Sequence, residues 1–273
     1  MSTLSLITFL ARTADRNPYG MLGAAMLCDA LTAQLDLDPL IIGLPTEPLN
    51  LDWEGELDAA RPELQDLAQT CEQTLALHMT PLIVMGRCAS ALATLPVVAR
   101  RRPDACIVWF DAHADANTPD TSPTGYLGGM VLTGAAGMWE SGLGDDMPLS
   151  NVVLVGVRDI DPPEQALIDA DILRAVRPGK NMIEQLRTAI GNQPVYIHID
   201  CDVLEPGIVP TEYRVPGGLT LADLRACCEV LAQNEIIGIE IAEFEVLWSE
   251  DGALASPDEL IDATQPLFRP TGL

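Results

Sequence analysis

The chain is 273 residues long, enough for one large domain with a sizeable buried core. Its 40 acidic against 15 basic residues give a net charge of −25, and Lys180 is the only lysine, which argues against a phosphate-tracking surface and a nucleic-acid partner. No apolar run reaches membrane-spanning length and no basic stretch precedes a signal-type apolar run, so a soluble, cytoplasmic protein without a membrane partner is expected.

In chain order, short apolar runs rich in β-branched residues occur at Leu4 to Phe9, Leu40 to Leu44, Leu82 to Met85, Cys106 to Phe110, Val152 to Val157, Val195 to Ile199 and Ile236 to Ile241. Helix-like segments lie at about 20–35, 57–78, 89–101, 129–138, 163–170, 180–190, 221–233 and 257–264. This alternation predicts a single three-layer α/β domain, 1–273, with a parallel sheet covered on both faces. Sites in such sheets lie beyond the carboxyl ends of the strands, where polar residues interrupt the apolar pattern. The Pro/Gly/Asp-rich stretches 117–128 and 203–218 follow predicted strands and read as active-site loops. Seven cysteines without a CxxC pair read as reduced core thiols.

Two strand ends carry the chemistry. The run Ile107 to Phe110 leads directly into Asp111, Ala112, His113, Ala114, Asp115, and the run Val195 to Ile199 into Asp200, Cys201, Asp202. If the chain stays extended, alternate side chains point the same way, so Asp111, His113 and Asp115 converge. Packing five such groups together opposes their repulsion and desolvation unless a divalent cation sits among them. Oxygen donors with one imidazole suit Mn²⁺ better than a thiolate-rich zinc site, and a pair of ions sharing Asp111 and Asp200 would generate a nucleophile from water. His78, on a predicted helix, and His198, inside a strand, read as packed or exposed side chains rather than ligands.

These motifs, with their order and separation, resemble the ureohydrolase superfamily of arginase, agmatinase and formimidoylglutamase over about Leu82 to Trp248. The resemblance implies an eight-stranded, mostly parallel sheet and two Mn²⁺ ions, one held by Asp111, Asp115 and Asp200, the other by Asp111, His113, Asp200 and Asp202. It implies that Asp115 hydrogen-bonds the attacking hydroxide and that Glu243 binds the guanidinium, with Glu240 and Glu245 structural. Asn117 and Thr124 match positions that grip an amino-acid carboxylate, and Asp161, in the stretch Arg158 to Pro162, matches an α-amino contact. A small guanidino amino acid is therefore the expected ligand, and a homo-oligomer the expected assembly by analogy.

The chain departs from that pattern in three places. The superfamily's Gly-Gly-Asp-His-Ser stretch, which supplies a histidine ligand, appears as Gly86, Arg87, Cys88, Ala89, Ser90, with Cys88 taken at the histidine's position. Either the sulfur is a softer ligand, leaving the first ion weak, absent or of another identity, or it is an inert buried thiol. Gly128 stands where arginase has a histidine thought to serve in proton transfer. Thr211, Glu212, Tyr213, Arg214 replaces Thr-Gly-Thr-Pro. Cysteine at the first ligand position resembles a smaller branch that hydrolyses Nω-hydroxy-L-arginine to L-ornithine and hydroxyurea, as in antibiotic biosynthesis. The alternatives are an ordinary arginase or agmatinase, and a degenerate relative that binds without turnover.

Overall fold

The computed structural model describes residues 3–145, 147–249 and 252–268. Among the described residues eight strands form one sheet: β1 (Leu4–Phe9), β2 (Leu40–Ile42), β3 (Thr80–Met85), β4 (Cys106–Phe110), β5 (Val152–Val155), β6 (Arg174–Val176), β7 (Val195–Asp200) and β8 (Ile236–Ala242), in spatial order β2-β1-β3-β8-β7-β4-β5-β6. Every pairing is parallel, so the expected mostly parallel sheet is entirely so. Helices α1 (Tyr19–Leu35), α2 (Trp53–Ala76), α3 (Ala91–Arg101), α4 (Val131–Ala135), α5 (Pro162–Asp169), α6 (Met182–Ile190), α7 (Leu221–Leu231) and α8 (Asp258–Thr264) complete the domain.

Two apolar clusters explain the layering. On one face Leu57 and Leu64 of α2, Leu92 of α3 and Val131 of α4 pack on Ile7, Ile83 and Ile107. On the other, Leu27 of α1, Leu186 of α6, Leu224 of α7 and Leu260 of α8 pack on Leu82, Val108 and Ile197. Strands buried on both sides must be apolar at consecutive positions, which is why they read as runs without alternation. Among the described residues no helix is long and apolar enough to cross a membrane.

Several boundaries shift for local reasons. The second strand stops at Ile42 because Gly43 turns with φ +71°, and the fifth at Val155 because Gly156 has φ +91°. Helix α2 starts at Trp53, four residues before the expected 57, because the Asp52 side chain accepts from Gly55 N at 2.9 Å and caps it. The segment expected as a helix over 129–138 is a 3₁₀ turn, Leu127–Met130, followed by the short α4. Strand β6 is an addition: Arg174-Ala175-Val176 is an edge strand with only Val176 buried, too short and polar to stand out as an apolar run.

The spatial order places β3, β8, β7 and β4 side by side, so the four segments leaving their carboxyl ends meet. These are Gly86 to Cys88, Glu243 to Glu245, Asp200 to Asp202, and Asp111 to Asp115. Helix α1 closes on two of them through glycines: a Cβ on Gly23 would lie 1.8 Å from the Phe244 carbonyl oxygen, and one on Gly20 would lie 2.7 Å from the Gly86 oxygen. Gly23→Ala is accordingly expected to lower stability by about 3 kcal/mol through overpacking against a backbone that cannot yield, read as a fall in the thermal or urea midpoint.

Candidate metal and guanidino site

At the end of β4, Asp111 takes a hydrogen bond from Trp109 Nε1 at 3.0 Å on one carboxylate oxygen and from His113 N at 2.7 Å on the other. Its neighbour loop is tied across from β7: Asp202 Oδ1 accepts from Ala112 N at 3.0 Å, and Asp200 Oδ1 accepts from Asp202 N at 2.6 Å. His113 Nδ1 lies 3.2 Å from Asp111 Oδ1 and 3.1 Å from Asp202 Oδ2. Asp115 reaches the cluster differently from the extended path expected of it. Its φ is +47°, so the chain turns through the left-handed region instead of continuing straight. Asp115 thereby joins Asp111 and Cys88, while His113 joins Asp111 and Asp202; a third group is Cys88, Asp200 and Glu243. In each group the potential ligand atoms lie within 4.8 Å of one another.

Glu243 also has a left-handed backbone, φ +64°. Such conformations cost a non-glycine residue about 1–3 kcal/mol and persist only where the surroundings hold them. Here the hold is visible: Cys88 N donates to Glu243 Oε1 at 2.8 Å, and Arg87 NH1 donates to Oε2 at 2.7 Å. Counted without gaps along the five-residue superfamily stretch, the histidine falls opposite Ala89. The chain nevertheless turns the Cys88 sulfur to the carboxylates, 3.0 Å from Asp200 Oδ2.

Beneath these groups lies a row the sequence reading did not find. Trp109, His198 and Glu240 are in register on three adjacent strands and share one face with the site. The Trp109 and His198 rings stack at 3.6 Å with planes 5° apart. His198 Nδ1 lies 2.7 Å from Glu240 Oε2, and its Nε2 lies 3.1 Å from Cys88 Sγ. Tyr196 OH donates to Glu240 at 2.6 Å, and Thr94 donates to the same oxygen. His198 is thus packed inside the sheet, as expected, but it also backs the thiol. His78 lies one residue beyond the Leu77 cap of α2, off the helix expected to carry it, and is exposed.

The electrostatics are those of acids crowded away from water. Burial, followed by the neighbouring carboxylates, pushes Asp111, Asp115 and Asp200 above the usual carboxylate range. Burial and then Asp200 push the Cys88 thiol up. Burial opposes charge on both His113 and Asp202, yet contacts outweigh it: Asp111 and then Asp202 hold the imidazole up, and His113 holds the Asp202 carboxyl down. Four clustered acids, one imidazole and one sulfur with this unmet repulsion fit a divalent cation.

A cavity of about 240 Å³ opens onto the cluster. Cys88, His113, Asp115, Asp200, Asp202 and Glu243 face it from the strand ends, and Asn117, Thr124 and Asp161 from the loops; Asp111 is 1% exposed and sits behind them. Asn117 Nδ2 donates to Asp161 Oδ2 at 2.8 Å, and Asp161 N donates to Glu164 at the start of α5. Thr124 Oγ1 accepts from Tyr126 N at 3.2 Å. Tyr126 also explains Gly128: a Cβ there would lie 2.5 Å from the Tyr126 ring, which fills the space a side chain would need. Tyr213, from the Thr211 to Arg214 segment, packs edge-on against His113 with ring centroids 5.4 Å apart.

A parallel α/β sheet with clustered acids beyond its central strands is an enzyme-like architecture with donors suited to a cation, and residues 21–255 match the arginase family. The chain belongs to that family, hydrolases that act on amidino C–N bonds. It is 38% identical over 265 residues to the Nω-hydroxy-L-arginine amidinohydrolase of Streptomyces lavendulae, covering 97% of each chain. Its fold superposes on the arginase of Bacillus caldovelox with a TM-score of 0.82 at 24% identity over the full length of both. The proclavaminate amidino hydrolase of Streptomyces clavuligerus follows at 0.71 and 18%, over 98% of this chain and 91% of that one.

Glu240 accepts from three buried donors in a place water cannot reach. Glu240→Ala is expected to cost about 3 kcal/mol or more, because each orphaned donor keeps its desolvation penalty. Urea unfolding measures this directly.

Proposed function

We propose that this protein is a manganese-dependent amidinohydrolase that cleaves the guanidino C–N bond of Nω-hydroxy-L-arginine, giving L-ornithine and hydroxyurea. The observation that carries the reading is the Cys88 sulfur at the carboxylate cluster, in a chain closely similar along its length to a protein named for that substrate. The whole chain, 1–273, would serve as one cytoplasmic catalytic domain acting on a free guanidino amino acid.

Asp111, His113, Asp200 and Asp202 would hold one ion; Cys88, Asp111, Asp115 and Asp200 the other. Two Mn²⁺ ions there would supply Lewis acidity and lower the pKa of water. Asp115, turned into the cluster by its left-handed backbone, accepts a hydrogen bond from the attacking water. Glu243, fixed by Arg87 and Cys88 N, presents its remaining lone pairs to the guanidino nitrogens. At the other end Asn117 and Thr124 hold the α-carboxylate, and Asp161, oriented by Asn117, holds the α-amino group. N-hydroxylation makes the guanidino group less basic and more readily attacked. Chemistry can then proceed with sulfur in place of imidazole and with no side chain at Gly128.

The manganese-loaded enzyme is expected to release ornithine from Nω-hydroxy-L-arginine with a higher kcat/KM than from L-arginine. No ornithine from the hydroxylated substrate would end this reading. Asp115→Ala and Asp202→Ala should each reduce turnover by more than the roughly 100-fold that loss of an outer contact costs a metal site, with circular dichroism unchanged. Cys88→His should raise manganese content by metal analysis and move preference toward arginine; unchanged occupancy would show that the sulfur does not touch the ions.

A further inference from the structure

The carboxylate assigned to the substrate's guanidino group already holds a guanidinium from the protein itself. Arg87 follows β3 and is 1% exposed. Its NH1 lies 2.7 Å from Glu243 Oε2 and 2.9 Å from Glu212 Oε2, and its Nε 3.0 Å from Asp15 Oδ1. Its NH2 lies 3.3 Å from Glu245 Oε1 and 3.3 Å from Asn17 Oδ1. Asp15 and Glu245 have further donors of their own, Thr13 N and Asn17 Nδ2, both at 2.8 Å. Glu212 also faces Arg16 at 3.7 Å. These carboxylates anchor the Arg87 side chain, and Glu243 is the one among them that faces both Arg87 and the cavity beside Cys88 and Asp200.

Arg87 divides one positive charge among four acids, and through its 2.7 Å contact it offsets part of the pull that Glu243 would exert on a cationic ligand. A second guanidinium on the free Glu243 lone pairs would sit about two hydrogen-bond lengths from Arg87, in a pocket where water screens poorly, and like charges repel there. A neutral guanidine offers the same N–H donors without that repulsion. Because an N-hydroxyl group draws electron density from the guanidine, the hydroxylated compound reaches its neutral form far more easily than arginine does.

We propose that Arg87 is a specificity-determining residue: by pairing with Glu243 it turns the site against cationic guanidinium groups and toward less basic, N-hydroxylated ones. The proposal rests on the hydroxyarginine reading for its biological sense. Arg87 acts through Glu243 and is a positioning residue.

The test compares wild type with Arg87→Gln, Arg87→Lys and the charge-balanced Arg87→Gln/Glu212→Gln, which relieves the acid left unpaired should the single variant fold poorly. Two quantities are read: the Kd for L-arginine by calorimetry, and the ratio of kcat/KM for hydroxyarginine over arginine. In both glutamine variants the Kd for arginine should tighten and the ratio should fall, each by about tenfold or more, as expected for removing a nearby like charge. Arg87→Lys keeps the charge and should retain the wild-type preference. An unchanged arginine Kd in both glutamine variants overturns the role of Arg87, whatever the substrate. Absence of hydroxyarginine turnover by wild type overturns the functional reading instead and leaves the arginine Kd as an independent measure.

Discussion

The mutual repulsion of carboxylates collected out of water is the constraint on which the rest of the site depends. Asp111, Asp115, Asp200, Asp202 and Glu243 are each no more than 7% exposed and converge from three strand ends. The largely apolar sheet offers them little, chiefly the Trp109 indole N–H to Asp111. The molecule answers partly with direct bonds, since Trp109, Ala112, His113, Cys88 and Arg87 all donate into the cluster, and partly by leaving a set of donor atoms that suits a divalent cation.

That arrangement needs a rigid support, which the sheet supplies one layer down. Trp109, His198 and Glu240 lie in register across three strands, with Tyr196 and Thr94 closing on the same glutamate. Polar groups buried this deeply are stable only as a fully bonded set, and the set fixes the imidazole that faces the Cys88 sulfur. The Cys88 sulfur is therefore joined through His198 to Glu240 on β8 and, beyond it, to Tyr196 and Thr94.

The side chains around the cavity also act on one another. Gly128 leaves room for the Tyr126 ring, on whose face Arg16 lies with its guanidinium carbon 4.6 Å from the centroid. Arg16 in turn donates to Tyr213 and faces Glu212, both in the Thr211 to Arg214 segment, and Glu212 faces Arg87. Arg87 and Cys88 together hold Glu243. Residues far apart along the chain are thus linked into one network, which reaches the cavity through Tyr126, Tyr213, Cys88 and Glu243.

Much of this was legible in the chain. Uninterrupted apolar runs reveal doubly covered strands, and Asp111 to Asp115 and Asp200 to Asp202 stand out because charged residues directly after such runs have no packing role. Strand β6, short and largely polar, left no such mark. The left-handed turn at Asp115, the exclusion of a side chain at 128 by Tyr126, and the pairing of Arg87 with Glu243 were decided by the fold. They depend on which strands become neighbours, and β3 meets β8 only after about 150 intervening residues have folded back, as the Leu82–Ile239 register shows. Local sequence specifies which groups are available at a strand end; strand order specifies which of them share a charge.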